Sequence, residues 1–327
     1  DISWEKTDVV DLGLDVNLFG SLSLTFDYYN KLTHGILYRN PIPYVNGGLG
    51  APMINSAKVR NRGFEFSASY NKNFGDLGFA VSVNGAYNRN EIIDYKGDYL
   101  EINGATVWTE GQPIGKFYMR EIDHIVQDKA EIDKLVSEGW TFSPSRPEPG
   151  DFLYKDLNND KRIDDKDRVL KGQPLPLFTF GGSIAFSYKN FDLSALFSGV
   201  AGWDRYLSTG IFSLTNADTE RLFLKKFQNQ WSETNRNTNI PKLYASNEKN
   251  NQVSDYYLYD ASFLRLKTLQ LGYTLPKNLI PKVRIRAYCN LENYFTITSY
   301  PGMDPEMNGD VGYPILKTVS LGVNIKF

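Results

Sequence analysis

The sequence predicts an all-β fold, an antiparallel β-barrel of the kind that spans a membrane. Nine stretches alternate apolar and polar residues with period two, the signature of strands with one face buried. The connections between them alternate short and long. Strand-forming aromatics are abundant: 20 Phe, 21 Tyr and 5 Trp make up 14% of the 327 residues.

Composition narrows the alternatives. The formal net charge is −2, so no strong field favours nucleic acid. No run of 18 apolar residues occurs, which excludes a helical membrane protein and says nothing against a barrel, whose strands dilute the average. One cysteine, Cys289, excludes an internal disulfide framework and a cysteine metal cluster. Two histidines, His34 and His124, leave little for a histidine metal site or a catalytic triad.

The first stretch, about 6–17, sets Val10, Leu12, Leu14 and Val16 against Asp11, Gly13, Asp15 and Asn17. The second, about 20–33, sets Leu22, Leu24, Phe26 and Tyr28 against Ser21, Ser23, Thr25 and Asp27. The third, about 57–72, sets Phe64, Phe66, Ala68 and Tyr70 against Glu65, Ser67 and Ser69. The fourth, about 77–91, carries Phe79, Val81, Val83 and Tyr87 on its apolar face. The fifth, about 176–188, carries Phe178, Phe180, Ile184, Phe186 and Tyr188. The sixth, about 190–203, carries Phe191, Leu193, Ala195 and Phe197. The seventh, about 258–275, changes phase between Leu266 and Leu269, which predicts a β-bulge near Lys267. The eighth, about 282–296, sets Val283, Ile285, Ala287, Cys289 and Leu291 against Arg284, Arg286, Tyr288, Asn290 and Glu292. The ninth, about 316–327, sets Val319, Leu321, Val323, Ile325 and Phe327 against Thr318, Ser320, Asn324 and Lys326.

The short connections fall near Phe19-Gly20, Phe74-Gly75-Asp76, Lys189-Asn190 and Pro276 to Pro281; the long ones span about 34–56, 92–175, 204–257 and 297–315. Short turns on one rim and long loops on the other describe an outer-membrane barrel. Alternation alone does not separate it from a soluble barrel; the loop asymmetry and the terminal aromatic favour the membrane. Tyr28, Tyr29, Tyr70, Tyr188 and Tyr273, near strand ends, fit an interfacial girdle. Complete bacterial barrels have even strand numbers, so nine predicts the C-terminal part of a larger barrel. The chain opens on Asp1 without an initiator Met or a signal peptide, as a processed or excised chain would.

One loop carries a cation-binding pattern. Asp156, Asn158, Asp160, Asp164 and Asp167 place side-chain oxygens at positions one, three, five, nine and twelve, and the Arg162 carbonyl falls at seven. Hard cations need several oxygens at such spacing, so the residues predict Ca²⁺ rather than a transition metal. Lys161 stands where an EF-hand has glycine, and Asp167 where it has the longer Glu. The competing reading is a solvated acidic turn.

The remaining candidates carry less chemistry. His34 and His124 read as loop histidines, and Asp11, Asp15 and Glu292 as carboxylates on the wet face of a barrel. Gly47-Gly48-Leu49-Gly50 lacks the strand and helix of a nucleotide fingerprint. Trp108, Trp140, Tyr206, Trp231, Tyr244, Tyr256 and Tyr257 suit sugar rings, peptides, a protein partner or mutual packing. Phe152 and Tyr154 would anchor the acidic loop. No motif for an enzyme is evident.

Several segments together resemble the SusC/RagA-type TonB-dependent outer-membrane transporters. They are Trp4-Glu5-Lys6-Thr7, Gly13-Leu14-Asp15, Asp27-Tyr28-Tyr29-Asn30-Lys31 and Asn61-Arg62-Gly63-Phe64-Glu65. Asp156 to Asp167 followed by Gly172-Gln173-Pro174, then Phe263-Leu264-Arg265-Leu266-Lys267, Leu271-Gly272-Tyr273, Asn290-Leu291-Glu292-Asn293 and Phe327, complete the set. The resemblance implies a 22-stranded barrel of which residues 1–327 are the last portion, with plug domain and upstream strands absent. It implies active import of an oligosaccharide or oligopeptide across the outer membrane of a Gram-negative bacterium. It further implies energy through TonB, by way of absent N-terminal regions, a SusD-like lipoprotein partner and contact with outer-membrane lipid. The alternative is a surface glycan- or protein-binding barrel that transports nothing.

Overall fold

The structure, a computed structural model, describes residues 2–39, 52–95, 101–214, 224–244, 249–276, 283–307 and 312–327. Nine strands form one antiparallel sheet in strict chain order. They are β1 (Lys6–Leu18), β2 (Leu22–Arg39), β3 (Met53–Phe74), β4 (Leu77–Tyr95), β5 (Phe178–Tyr188), β6 (Phe191–Ala201), β7 (Phe263–Thr274), β8 (Arg284–Thr298) and β9 (Thr318–Lys326). Each pairs with its chain neighbours, and within this sheet β1 and β9 pair on one side only.

The register turns the sequence alternation into two faces. Leu12, Tyr28, Phe64, Tyr87 and Phe178 lie in one cross-strand row, and Leu14, Phe26, Phe66 and Phe180 in a neighbouring one. Ring pairs knit these rows, with Phe64–Tyr87 centroids 5.3 Å apart and Phe66–Phe178 6.4 Å apart. This apolar face is exposed: Leu14 is 61% and Leu321 82% accessible. The opposite face holds Asn17, Ser23, Asp15 and Thr25, whose side chains hydrogen-bond across β1 and β2. An open apolar face and a hydrogen-bonded polar face are what lipid outside and water inside require.

On β4 the apolar run from Leu77 to Tyr87 covers ten residue steps. At ~3.4 Å per residue and a tilt of ~40°, that run stands about 25 Å tall, the height of an outer-membrane apolar band.

Local chemistry sets the turns. Gly75 takes φ +64° as the first residue of the two-residue β3–β4 turn, where glycine carries no Cβ penalty. In the β7 ladders, both neighbours skip Lys267: Leu266 and Thr268 pair on either side of it. The bulge read from the phase slip is therefore present, and it keeps Leu264, Leu266, Leu269 and Leu271 on one face.

Three boundaries differ from the sequence reading. β2 and β3 run past the membrane band, through irregularities around Ile36, so their connection shortens to 40–52. Residues Leu258–Asp260 form a separate strand with Asp204–Tyr206, and β7 begins only at Phe263. Residues 92–95 belong to β4 rather than to the long connection that follows it. In each case pairing beyond the apolar band has no periodic hydrophobic signal to announce it.

Candidate functional site

The long connections build an ordered head on one rim. Within 96–177, Arg168–Lys171, Lys116–Arg120, Thr106–Trp108 and Glu101–Asn103 make a four-stranded sheet. Phe152–Tyr154 pairs with Ile122–Ile125, and Arg162–Ile163 pairs in parallel with Thr141–Phe142. One helix, α1 (Lys129–Ser137), carries the buried Ile132. The head is fastened to the polar side of the wall near its rim. The Ile114 N–H donates to the Asn90 side chain, whose amide donates to Asn61.

The head has its own hydrophobic core, joining the two longest connections. Ile125, Phe152, Tyr154 and Ile163 pack with Leu214, Phe227, Trp231, Ile240 and Tyr257. Burial raises the Tyr154, Tyr256 and Tyr257 phenols above the ordinary tyrosine value, so all three stay neutral. The loop aromatics thus largely pack against one another. Trp231 is buried and donates to Gln127, Trp108 stacks near Tyr38, and Tyr206 meets Tyr257 edge-on. Trp140 and Tyr256 lean on the same core from its edge. Phe152 and Tyr154 are buried in one cluster with Ile163 of the acidic loop.

Arg120 organises the head, and the sequence reading did not single it out. It is 2% exposed, donates to the Ser143 carbonyl at 2.6 Å and to Asp165 at 2.9 Å, and lies over the Tyr154 ring. Its only sequence signal is a charge in an otherwise strand-like run.

The acidic loop is wound on itself. Asp156 accepts N–H bonds from Asp160 and Lys161, and the Asn158 side-chain oxygen accepts from the Asp160 N–H. Asp160 accepts from the Arg162 N–H, and Asp164 caps the short helical turn Asp165–Asp167. Asp167 is fully buried and ties Leu157 and Asp164 together through its two oxygens. The parallel ladder uses the Lys161 and Ile163 carbonyls, leaving that of Arg162 outside it. Among the described residues, no three His, Cys, Asp or Glu side chains converge as a metal site.

Beside this loop lies an open cleft of about 670 Å³, walled by α1, Trp140, Leu153 and the 155–161 segment. His124 stands in it between Asp123, 2.8 Å from Nδ1, and Glu131 of α1. Burial acts to lower its pKa, and the two carboxylates outweigh burial, leaving it above the ordinary histidine value. His124 therefore lies in a short strand and is ion-paired, whereas His34 ends the regular part of β2 and faces Asp8 at 3.4 Å. Nearby, hydrogen bonds from Lys171 and Lys155 hold Glu121 below the usual carboxylate range.

Asp11 and Asp15 on β1 and Glu292 on β8 share the polar face but belong to distant strands, so no acid–base pair forms between them. Cys289 lies in the apolar row between Leu271 and Leu321. The glycine cluster at 47–50 lies outside the described residues.

The chain matches the family model described as TonB dependent receptor-like, beta-barrel, over residues 1–293. It is 33% identical to TonB-dependent receptor P3 of Formosa agariphila, over all of this chain and 34% of that protein. It is 28% identical to TonB-dependent receptor SusC of Bacteroides thetaiotaomicron, over all of this chain and 32% of that one. The solved structure of the RagAB peptide transporter superposes with a TM-score of 0.80 at 28% identity, covering 99% of this chain and 35% of its own. The chain thus spans about a third of the length of the relatives it matches. A nine-stranded antiparallel wall agrees with these matches. The chain belongs to the TonB-dependent receptor β-barrel family, as a barrel segment of the Gram-negative outer membrane that is similar to SusC.

Proposed function

We propose that this chain supplies part of the wall and the extracellular head of an active importer for an oligosaccharide or oligopeptide. TonB energises it, and a SusD-like lipoprotein closes over its head. The carrying observation is likeness along the whole chain, both to SusC and to the RagAB peptide transporter. The importer needs a rigid rim on which a lid and cargo can seat, and the doubly anchored loop core supplies that rigidity. The test is uptake by cells expressing the full-length protein, offered fluorescent oligopeptides and oligosaccharides, with and without TonB. Energy-dependent uptake of one class is expected. Binding without TonB-dependent accumulation would instead support a surface-binding barrel.

We also propose that Asp156, Asn158, Asp160, the Arg162 carbonyl and Asp164 take up Ca²⁺, with Asp167 closing the loop behind them. The donors are all oxygen and lie in one short turn, where Asp156, Asn158 and Asp160 accept backbone N–H bonds that a cation would replace. Affinity in the range of about 10⁻⁴–10⁻³ M is expected for so incomplete a ligand set. Calorimetric titration of the full-length protein with CaCl₂ tests this. Heat that survives the double variant D156N/D160N unchanged would assign the binding elsewhere.

A further inference from the structure

The outward face of β3 and β4 changes character abruptly above the aromatic row of Phe64 and Tyr87. The next row pairs Arg62 with Arg89, the one above it Arg60 with Glu91, and the one above that Lys58 with Asp94. Rows on one face are ~7 Å apart along the strand, so Arg62 and Arg89 stand at the polar boundary of the apolar band.

Two carboxylates serve four cations there. Glu91 reaches Arg62 at 3.7 Å and Asp94 reaches Lys58 at 3.3 Å, both single, loose contacts. Arg60 and Arg89 have no carboxylate partner among the described residues. The Arg60 Nε is enclosed and makes no hydrogen bond. Buried guanidinium N–H groups are costly to leave unpaired. A cluster of planar, bidentate donors is the arrangement that holds phosphate oxygens.

The patch is on the wrong side of the wall for cargo. Arg62 and Arg89 share the face of Phe64 and Tyr87, whereas Asn61, Asn88 and Asn90 between them face the polar interior. Charge complementarity and continuity with the apolar band together select an amphiphile whose phosphate meets the arginines while its chains lie on the rings below.

We propose that Arg60, Arg62 and Arg89, with Lys58 beside them, dock the phosphate of a phosphorylated glycolipid headgroup in the outer leaflet. This rests on the placement of the wall in the outer membrane. The docked lipid would fix the height of β3 and β4 in the membrane and so the height of the head that they carry.

Native mass spectrometry of the full-length transporter in maltoside micelles tests the proposal, with bis-phosphorylated lipid A as probe. The triple variant R60Q/R62Q/R89Q should bind it at least roughly tenfold more weakly, and K72Q at the opposite rim should bind as the parent does. Dephosphorylated lipid A should bind the parent as weakly as lipid A binds the triple variant. Millimolar inorganic diphosphate should not displace the lipid. Unchanged binding by the triple variant, or equal binding of the dephosphorylated lipid, overturns the proposal. Full displacement by diphosphate overturns it too, by making a soluble phosphate the ligand. Should the triple variant fail to assemble, R89Q alone serves, because Arg89 is exposed and unpaired. Heat-modifiable migration of the parent reports barrel insertion separately, so a failure of the membrane placement shows there and not in the lipid titration.

Discussion

Arg265 shows how a single side chain holds a loop to the wall. It is 1% exposed at the rim end of β7, with both Asp304 oxygens at 2.6 and 2.7 Å and Glu306 at 2.7 Å. Removing a partner from a buried charge costs more than the pair contributes, because the remaining charge stays desolvated. Asp304→Ala should therefore destabilise the 299–307 segment by about 2–3 kcal/mol, with Glu306 retaining part of the pairing. Limited proteolysis of that segment in the full-length protein measures it; unchanged protection would show that the pairing contributes little. His124 gives a second residue-scale expectation, with a definite sign. Its folded pKa stands above the unfolded value of about 6.5, so its contribution is complete below that pH. The contribution is lost as pH rises through the raised folded value, and α1 then loses its tie to the Ile122–Ile125 strand. Amide exchange in α1 should quicken as pH rises above about 6.5 through the raised folded value, and Glu131→Gln should move that change to lower pH. A pH-independent exchange rate in the parent, beyond the intrinsic chemical trend, would refute this.

At the scale of one element, the bulge in β7 does the work of a phase corrector. Side chains alternate faces with period two, so one residue more or less exchanges the lipid and water faces of everything beyond it. Deleting Gln270 should therefore turn Leu271 and Tyr273 toward water and sharply lower outer-membrane abundance, whereas deleting Lys267 removes only the extra residue and leaves Leu264, Leu266, Leu269 and Leu271 in phase. Lys267→Ala keeps the bulge and loses only its exposed pair with Glu306, so abundance should hold. Equal abundance of the Gln270 deletion and Lys267→Ala would show that strand phase does not control assembly. Gly63 makes a similar point on β3. A Cβ there would sit 1.8 Å from the Tyr87 carbonyl, and the Tyr29 hydroxyl crosses that position to reach Asn88 at 3.0 Å. Gly63→Ala should cost roughly 1–3 kcal/mol through displaced strands, read as a lower temperature for loss of heat-modifiable migration.

The whole molecule divides its stability between two places. The wall turns its apolar residues outward to lipid and fills its interior face with polar groups, whereas the head buries Trp231, Phe227, Tyr257 and Leu214 in a core of soluble type. These cores answer to different solvents, so damage to one should spare the other. Trp231→Ala opens a large cavity and removes the hydrogen bond to Gln127, at a local cost of about 3–5 kcal/mol. The head should become protease-sensitive while the barrel retains its heat-modifiable migration. Loss of both together would mean that head and wall fold as one unit.

The wall was legible in the sequence because each strand sees one lipid face and one wet face, and period-two alternation records that directly. All nine strands, their order and the bulge at Lys267 follow from it, and the ordered motifs from Trp4 to Phe327 pointed to the family. The head was not legible, because its strands are two to five residues long and its core is assembled from segments a hundred residues apart. No periodicity marks Phe152 and Trp231 as neighbours, nor Arg120 as the partner of Ser143 and Asp165. The acidic loop lies between these cases. Its oxygen spacing stood in the sequence, while the choice of backbone N–H groups as their immediate partners came from the turn geometry. Alternation fixes what each residue of a strand faces, since that depends only on its nearest neighbours in the chain. Which distant segments meet depends on closing long loops, and that is decided only by the packed tertiary structure.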